Sequence, residues 1–228
     1  ISYLTIAKSY ARGNWGDAIN AYWSPLLSWL LAIFAWMSVE LLFVFKFLYL
    51  LSGLMALVAV RSVFGKYDLT PGWSMLLLTL LAVLLLRIVF EVTTPDLISA
   101  TLLLWFFRHW LSGKALLQPT CTALWMTVLY WAKAYNLYFV AGILAFDAII
   151  WSVAGIYSPA KLWKGFLLIT GLFFLFCFPW LLAIYIKYDQ FMLTGSGAFN
   201  HGGTMYDNWK YLLEFVAPPH QRSVFAWE

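Results

Sequence analysis

Three charged residues fall within ten positions of one another in the stretch RIVFEVTTPDLISATLLLWF: Arg87, Glu91 and Asp96. A further cation, Lys133, stands in YWAKAYNLYF among Tyr130, Trp131, Tyr135 and Tyr138. Asn200 and His201 sit among the glycines and serines of FMLTGSGAFNHGGTMYDNW, and near the start a polar loop carrying Asp17 runs into a Pro-initiated apolar helix in GDAINAYWSPLLSWLL. Ionisable residues at membrane depth are candidates for function by default. A lysine ammonium binds phosphate oxygens without demanding planar geometry, so Lys133 can clamp a lipid phosphate. His201 can ligate a metal or transfer a proton, and the glycines around it allow close approach to a ligand.

Each of these residues also has a purely structural account. With Thr94 as N-cap and Pro95 at the first helical position, Asp96 falls in a first helical turn, where a carboxylate suits the positive end of the dipole. Arg87 and Glu91 are four apart on one helix and form an ordinary ion pair. Lys133 reads as a lysine snorkelling within an aromatic belt. His201 has no second ligand at suitable spacing, and no HExxH, Walker or GxGxxG pattern occurs, so zinc protease, P-loop and dinucleotide readings have no support. Cys121 and Cys177 lie inside apolar runs, where a thiol behaves as a small hydrophobe.

The elements that must position these residues are membrane helices. Of the 228 residues, 64% are hydrophobic and only 11% charged, and the mean hydropathy is +0.82, more apolar than a soluble domain of this size needs. Long uninterrupted apolar runs, rather than short alternating ones, require backbone groups to be satisfied within helices, so the fold class is all-α and polytopic. Residues 69–86, 115–132 and 165–186 are uncharged runs near the ~20 residues needed to cross a bilayer. Residues 26–60 are too long for one crossing and divide into a shallow helix, about Pro25 to Met37, and a span from about Val39 to Val60. Val92 to Leu111 and Ala134 to Ile156 bring the expectation to six transmembrane helices, with amphipathic juxtamembrane helices on the outer face.

Placing Arg61, Lys66, Arg108, Lys114, Lys161 and Lys164 on one side collects six basic residues there and makes that side cytoplasmic. The net charge of +4 is scattered over short loops, which reports topology and gives no reason to expect nucleic acid as a partner. The outer side then carries residues 1–24 as a juxtamembrane segment, the corner from Glu91 to Asp96, the turn from Lys133 to Asn136 and the loop 187–228, with 25–186 as the transmembrane domain. No internal repeat of 20 to 50 residues is visible. The chain begins at Ile1 without Met and stops in loop-like sequence, as expected of a piece of a longer protein.

The order of features resembles a known family. ISYLTIAKSYARGNWGDAINAYWSPLLSWLLAIF is similar to the first outer loop of GT-C glycosyltransferases of the protein-mannosyltransferase type, related to the enzyme that adds aminoarabinose to lipid A. Tyr3 to Ala7, Gly13 to Trp15 and Ser24 to Leu27 carry that match; TTPDLISATLLLWF, WAKAYNLYF and FPWLLAIYIKYDQFMLTGSGAFNH extend it over almost the whole chain. The resemblance implies transfer of a sugar from a polyprenyl-phosphate donor to a glycan, lipid or protein acceptor on the periplasmic or outer face of a bacterial inner membrane. It implies Asp17 and Asp96 as catalytic carboxylates, Lys133 and Arg87 as donor-phosphate ligands, and Asn200 and His201 as a loop over the site. The family's principal acidic residue falls just before Ile1, and Ser24 stands where a second one often occurs, which leaves Asp17 as the carboxylate of the first loop. Family members have more than six spans, so the match also implies a fragment lacking the first helix and the C-terminal part.

Such a site is coherent chemically. A carboxylate removes the acceptor's proton as it attacks the anomeric carbon, and cations offset charge building on the departing lipid phosphate. No cofactor is required by these motifs, and a divalent metal stays open. Two other readings stand beside this one: a transporter or flippase, for which Glu40, Lys46 and Asp147 are the intramembrane charges, and a non-catalytic membrane subunit.

Overall fold

The computed structural model describes residues 3–67, 69–91, 94–113 and 115–195. Among them the chain is helical and contains no strand: α1 (Tyr3–Ala11), α2 (Trp15–Ala18), α3 (Leu26–Trp36), α4 (Leu41–Phe64), α5 (Pro71–Glu91), α6 (Asp96–Trp110), α7 (Pro119–Ala132), α8 (Tyr135–Val153) and α9 (Pro159–Tyr188). Four of these, α4, α5, α8 and α9, are long and apolar enough to cross a membrane. At 1.5 Å per residue the 21 residues of α5 run about 32 Å, close to the hydrocarbon thickness of a bilayer. Leu76, Leu80, Val83, Leu84 and Phe90 on that helix are exposed, an arrangement that suits lipid as the surrounding solvent.

The shorter helices show where proline and glycine override a hydropathy count. The run 115–132 yields only the 14 residues of α7, because Pro119 sits in the first turn, where its missing N–H costs nothing, and residues 115–117 form a turn before it. α6 has 15 residues and starts at Asp96. The N-cap arrangement expected there is corrected: Pro95 occupies the cap position with no side-chain cap, and the Thr94 hydroxyl donates to an Asp96 carboxylate oxygen at 2.5 Å. α3, with 11 residues, falls within the bounds 25–37 expected for a short helix ahead of the first long span. It ends in a Schellman turn, with Ser38 N–H donating to the Ala35 carbonyl at 3.1 Å and Val39 N–H to the Phe34 carbonyl at 3.0 Å.

The chain divides into two compact units, residues 42–176 and residues 1–41 with those from 177 onward; α9, which carries Pro179 inside it, contributes to both. In the unit that contains the N-terminal segment, α1 packs on α3. Tyr3, Ile6 and Ala7 recur at helical spacing and are buried, as are Leu27, Ser28 and Leu31 of α3. The Ser28 hydroxyl donates to the Tyr3 carbonyl at 3.3 Å, and the Trp29 ring meets Trp180 edge-on at 5.5 Å.

In the other unit, the Lys46 ammonium on α4 donates to the Val89 and Phe90 carbonyls at 2.9 and 2.8 Å, which satisfies acceptors left open at the C-terminal end of α5. The Thr101 hydroxyl on α6 donates to the Ser52 carbonyl on α4 at 3.0 Å. α6 packs on α7 and α7 on α8. Asp147, buried on α8, accepts a short hydrogen bond from the Trp110 indole at the end of α6. Thr122, also buried, lies 3.0 Å from His109 Nε2 and donates to the Ala115 carbonyl at 2.6 Å, which closes the turn between α6 and α7.

Candidate functional site

The break between α7 and α8 positions Lys133. Its backbone is extended, at φ −161° and ψ 120°, and its N–H donates to the Leu129 carbonyl at 2.9 Å. That carbonyl also accepts from Nδ2 of Asn136 at 3.0 Å, while the same amide donates to the Ser99 hydroxyl oxygen on α6 at 2.8 Å. Asn136 is fully buried, so these bonds are made away from water, where an unmade one is costly. The Asn136 amide thereby ties the last turn of α7 to α6 beside the break.

Asp96 is the first residue of α6, and the Lys133 ammonium donates to its Oδ1. The two residues are 37 positions apart. Oδ2 of the same carboxylate takes the Thr94 hydroxyl, and the ammonium lies 5.0 Å from the Tyr135 ring centroid, within cation–π range. Partial burial of the Asp96 carboxyl raises its pKa, but the Lys133 ammonium and the Thr94 hydroxyl outweigh that effect and hold it below the ordinary carboxylate value. The side chains remain 50% exposed for Asp96 and 35% for Lys133, so the pair is open to an incoming ligand. An ammonium and a carboxylate in contact, each also held by a neighbour, can exchange partners with an anion at one and a proton donor at the other.

Arg87, expected near the donor phosphate, donates through Nε to Glu91 at 2.9 Å on the same helix, with both side chains largely exposed. The simple i,i+4 pair accounts for it.

Asp17 belongs to the other compact unit. Its Oδ2 accepts from the Asn14 amide at 2.6 Å, a contact between residues three apart that stays exposed. The loop around it is shaped by groups the sequence reading did not single out. Oδ1 of Asn20 accepts the N–H groups of Tyr22 and Trp23 at 2.8 and 3.0 Å, the side-chain turn that Asn favours. The Lys187 ammonium near the end of α9 donates to the Ile19 carbonyl at 2.6 Å, and Gly195 N–H donates to the Ala21 carbonyl at 2.8 Å. Asn200 and His201 lie outside the described residues.

The structure therefore brings together Asp96 and Lys133, pairs Arg87 with its own helix and gives Asp17 a local partner. Ser99 and Asn136, which set the corner, carried one signal in the sequence: each is a polar residue within an apolar run. Among the described residues no group of three His, Cys, Asp or Glu side chains stands together to hold a metal ion. No family model, curated protein or solved structure matches the chain.

Proposed function

We propose that the chain is the membrane part of a GT-C glycosyltransferase, which moves a sugar from a polyprenyl-phosphate donor to a glycan, lipid or protein acceptor at the outer face of a bacterial inner membrane. The observation that carries this reading is the contact between Asp96 and Lys133, residues that the family resemblance assigns separately to proton abstraction and phosphate binding. In this reading the four long apolar helices, completed by the shorter α6 and α7, make up the six-span arrangement, and α1 and α2 lie along the outer surface.

The chemistry follows from the pair. While Lys133 holds Asp96, the carboxylate is a weakened base, because its proton affinity is lowered by the adjacent positive charge. A donor phosphate competes for the same ammonium. When it takes Lys133, the carboxylate is released from that charge and gains basicity at the moment the acceptor hydroxyl must lose its proton. The ammonium then offsets negative charge growing on the phosphate as the sugar departs. Asp17 is the second carboxylate of this reading, and Arg87 an outer cation whose Glu91 partner must be displaced before it meets phosphate.

The test is sugar transfer from a polyprenyl-phosphate donor by the full-length protein in liposomes. Asp96→Asn and Lys133→Ala are each expected to reduce transfer by roughly a hundredfold, the scale of losing one positioned charge at a reacting centre. Unchanged transfer in both variants removes the site assignment, and no transfer by the parent protein removes the function.

The transporter reading drew on charges within apolar segments. Lys46 holds two backbone carbonyls and Asp147 accepts from Trp110, so both have fixed structural partners. That favours the transferase over a moving solute path.

A further inference from the structure

Two further cations belong to the unit that contains α1 and α3. Lys8 is in the last turn of α1 and Arg12 follows one turn later. At 100° per residue both point away from the face that buries Tyr3, Ile6 and Ala7. They line a groove of about 340 Å³ whose other wall includes Trp36, Ser38 and Val39. Neither cation has a carboxylate or other side-chain partner among the described residues. Glu40, the carboxylate in that stretch of chain, is not among the lining residues.

The far wall has two unusual features. Ser38 ends α3 in the left-handed region, at φ 58°, where glycine is the usual residue and a side chain is disfavoured. Ser38 lines the same groove as the two cations, at a position that helix termination alone would fill better with glycine. Trp36, at 77% exposure, lines the groove with these cations, and its neighbours Ile33 and Met37 are exposed as well. Cations, a hydroxyl and a tryptophan at one rim are the chemistry of a membrane interface, where phosphate meets acyl chain.

We propose that this groove binds the phosphate headgroup of an anionic bilayer phospholipid. Lys8 and Arg12 take the phosphate oxygens, the Ser38 hydroxyl donates to a third position, and Trp36 lies at the glycerol level with Ile33 and Met37 toward the acyl chains. The bound lipid pins the end of α1 and the end of α3 to the membrane surface. The proposal is independent of the transferase reading, since it concerns neither Asp96 nor Lys133.

The test uses the detergent-solubilised full-length protein titrated with phosphatidylglycerol, phosphatidylcholine or inorganic phosphate, reading the melting temperature and, by native mass spectrometry, the lipid retained. Phosphatidylglycerol is expected to raise the melting temperature saturably and to be retained, and phosphatidylcholine is not. The Lys8→Gln/Arg12→Gln double variant, which keeps polar side chains of moderate length, is expected to bind phosphatidylglycerol at least roughly tenfold more weakly, in line with the loss of charged hydrogen bonds. Ser38→Gly separates binding from folding: it is expected to raise the melting temperature without lipid, by relieving the left-handed backbone, yet to weaken phosphatidylglycerol binding several-fold. Equal retention of phosphatidylglycerol by the double variant and its parent overturns the proposal. So does displacement of the lipid by millimolar inorganic phosphate with the same thermal shift, which assigns the groove to a free anion.

Discussion

Asp17 and Asp96 occupy comparable places in the sequence, each in the first turn of a helix and each near the start of an apolar stretch. They are held in different ways. Asp17 takes its hydrogen bond from a neutral amide three residues away, whereas Asp96 takes a cation 37 residues away and a hydroxyl two residues away. A local neutral partner orients a carboxylate and leaves the surrounding charge as it was. A distant cation also lowers the carboxylate's proton affinity and places an anion-binding group beside it. The second arrangement puts a cation and a carboxylate in direct contact, whereas at Asp17 the nearby Lys187 ammonium acts through space and donates to the Ile19 carbonyl instead.

The largest difference between the two carboxylates is expected in sugar transfer by the full-length protein with each neutralised in turn. Asp96→Asn is expected to cost roughly a hundredfold, while Asp17→Asn should cost less than about tenfold. The reverse order would move the proton acceptor to the first loop.

Next in size is the support of the corner. Asn136→Ala removes two buried hydrogen bonds, to the Ser99 hydroxyl oxygen and to the Leu129 carbonyl, which keeps its bond from the Lys133 N–H, and is expected to destabilise the protein by about 1–3 kcal/mol in detergent unfolding. Asn20→Ala, in the partly buried turn after Asp17, should cost about 1 kcal/mol. Equal losses at the two sites would make the corner no more demanding than the loop.

A smaller effect follows from pH. The folded pKa of Asp96 lies below its ordinary value of 3.8, so the stabilisation from its pair with Lys133 is present above that value and disappears as pH falls through the folded value. The groups are partly exposed, which limits the contribution to about 1 kcal/mol or less. The difference in melting temperature between the parent protein and Asp96→Asn is therefore expected to shrink between pH 6 and about pH 3. A difference that grows on acidification would mean the carboxyl is held in its neutral form.

The smallest expected change is at Arg87. Removing its exposed pair with Glu91 by Arg87→Gln should alter stability by about 0.3–0.5 kcal/mol, and less in high salt. A loss of several kcal/mol would point to a further partner.

Much of the helical organisation was legible in advance, because lipid demands long apolar runs and leaves charged residues at their ends. The short helix within 25–37, the long α4 and the break after α7 all follow from that rule. Element boundaries were less legible where apolar residues do not form helix. Ala115 and Leu116 are buried in a turn, so an apolar run of bilayer length contains a helix of only 14 residues. At 94–96 the local rule for N-caps assigned Thr94 to the backbone. In the fold its hydroxyl goes instead to the carboxylate that also faces Lys133.

The all-helical class, the long apolar segments and the polar positions that interrupt them are set along the chain, because each depends on sequence neighbours or on the surrounding solvent. Tertiary structure alone decided which polar groups meet. Helical spacing relates residues three or four apart, which is enough for Arg87 with Glu91. It says nothing about residues 37 apart on different helices, and only the packing of α6 against α7, fixed at the α7–α8 break by Asn136, brings Lys133 to Asp96.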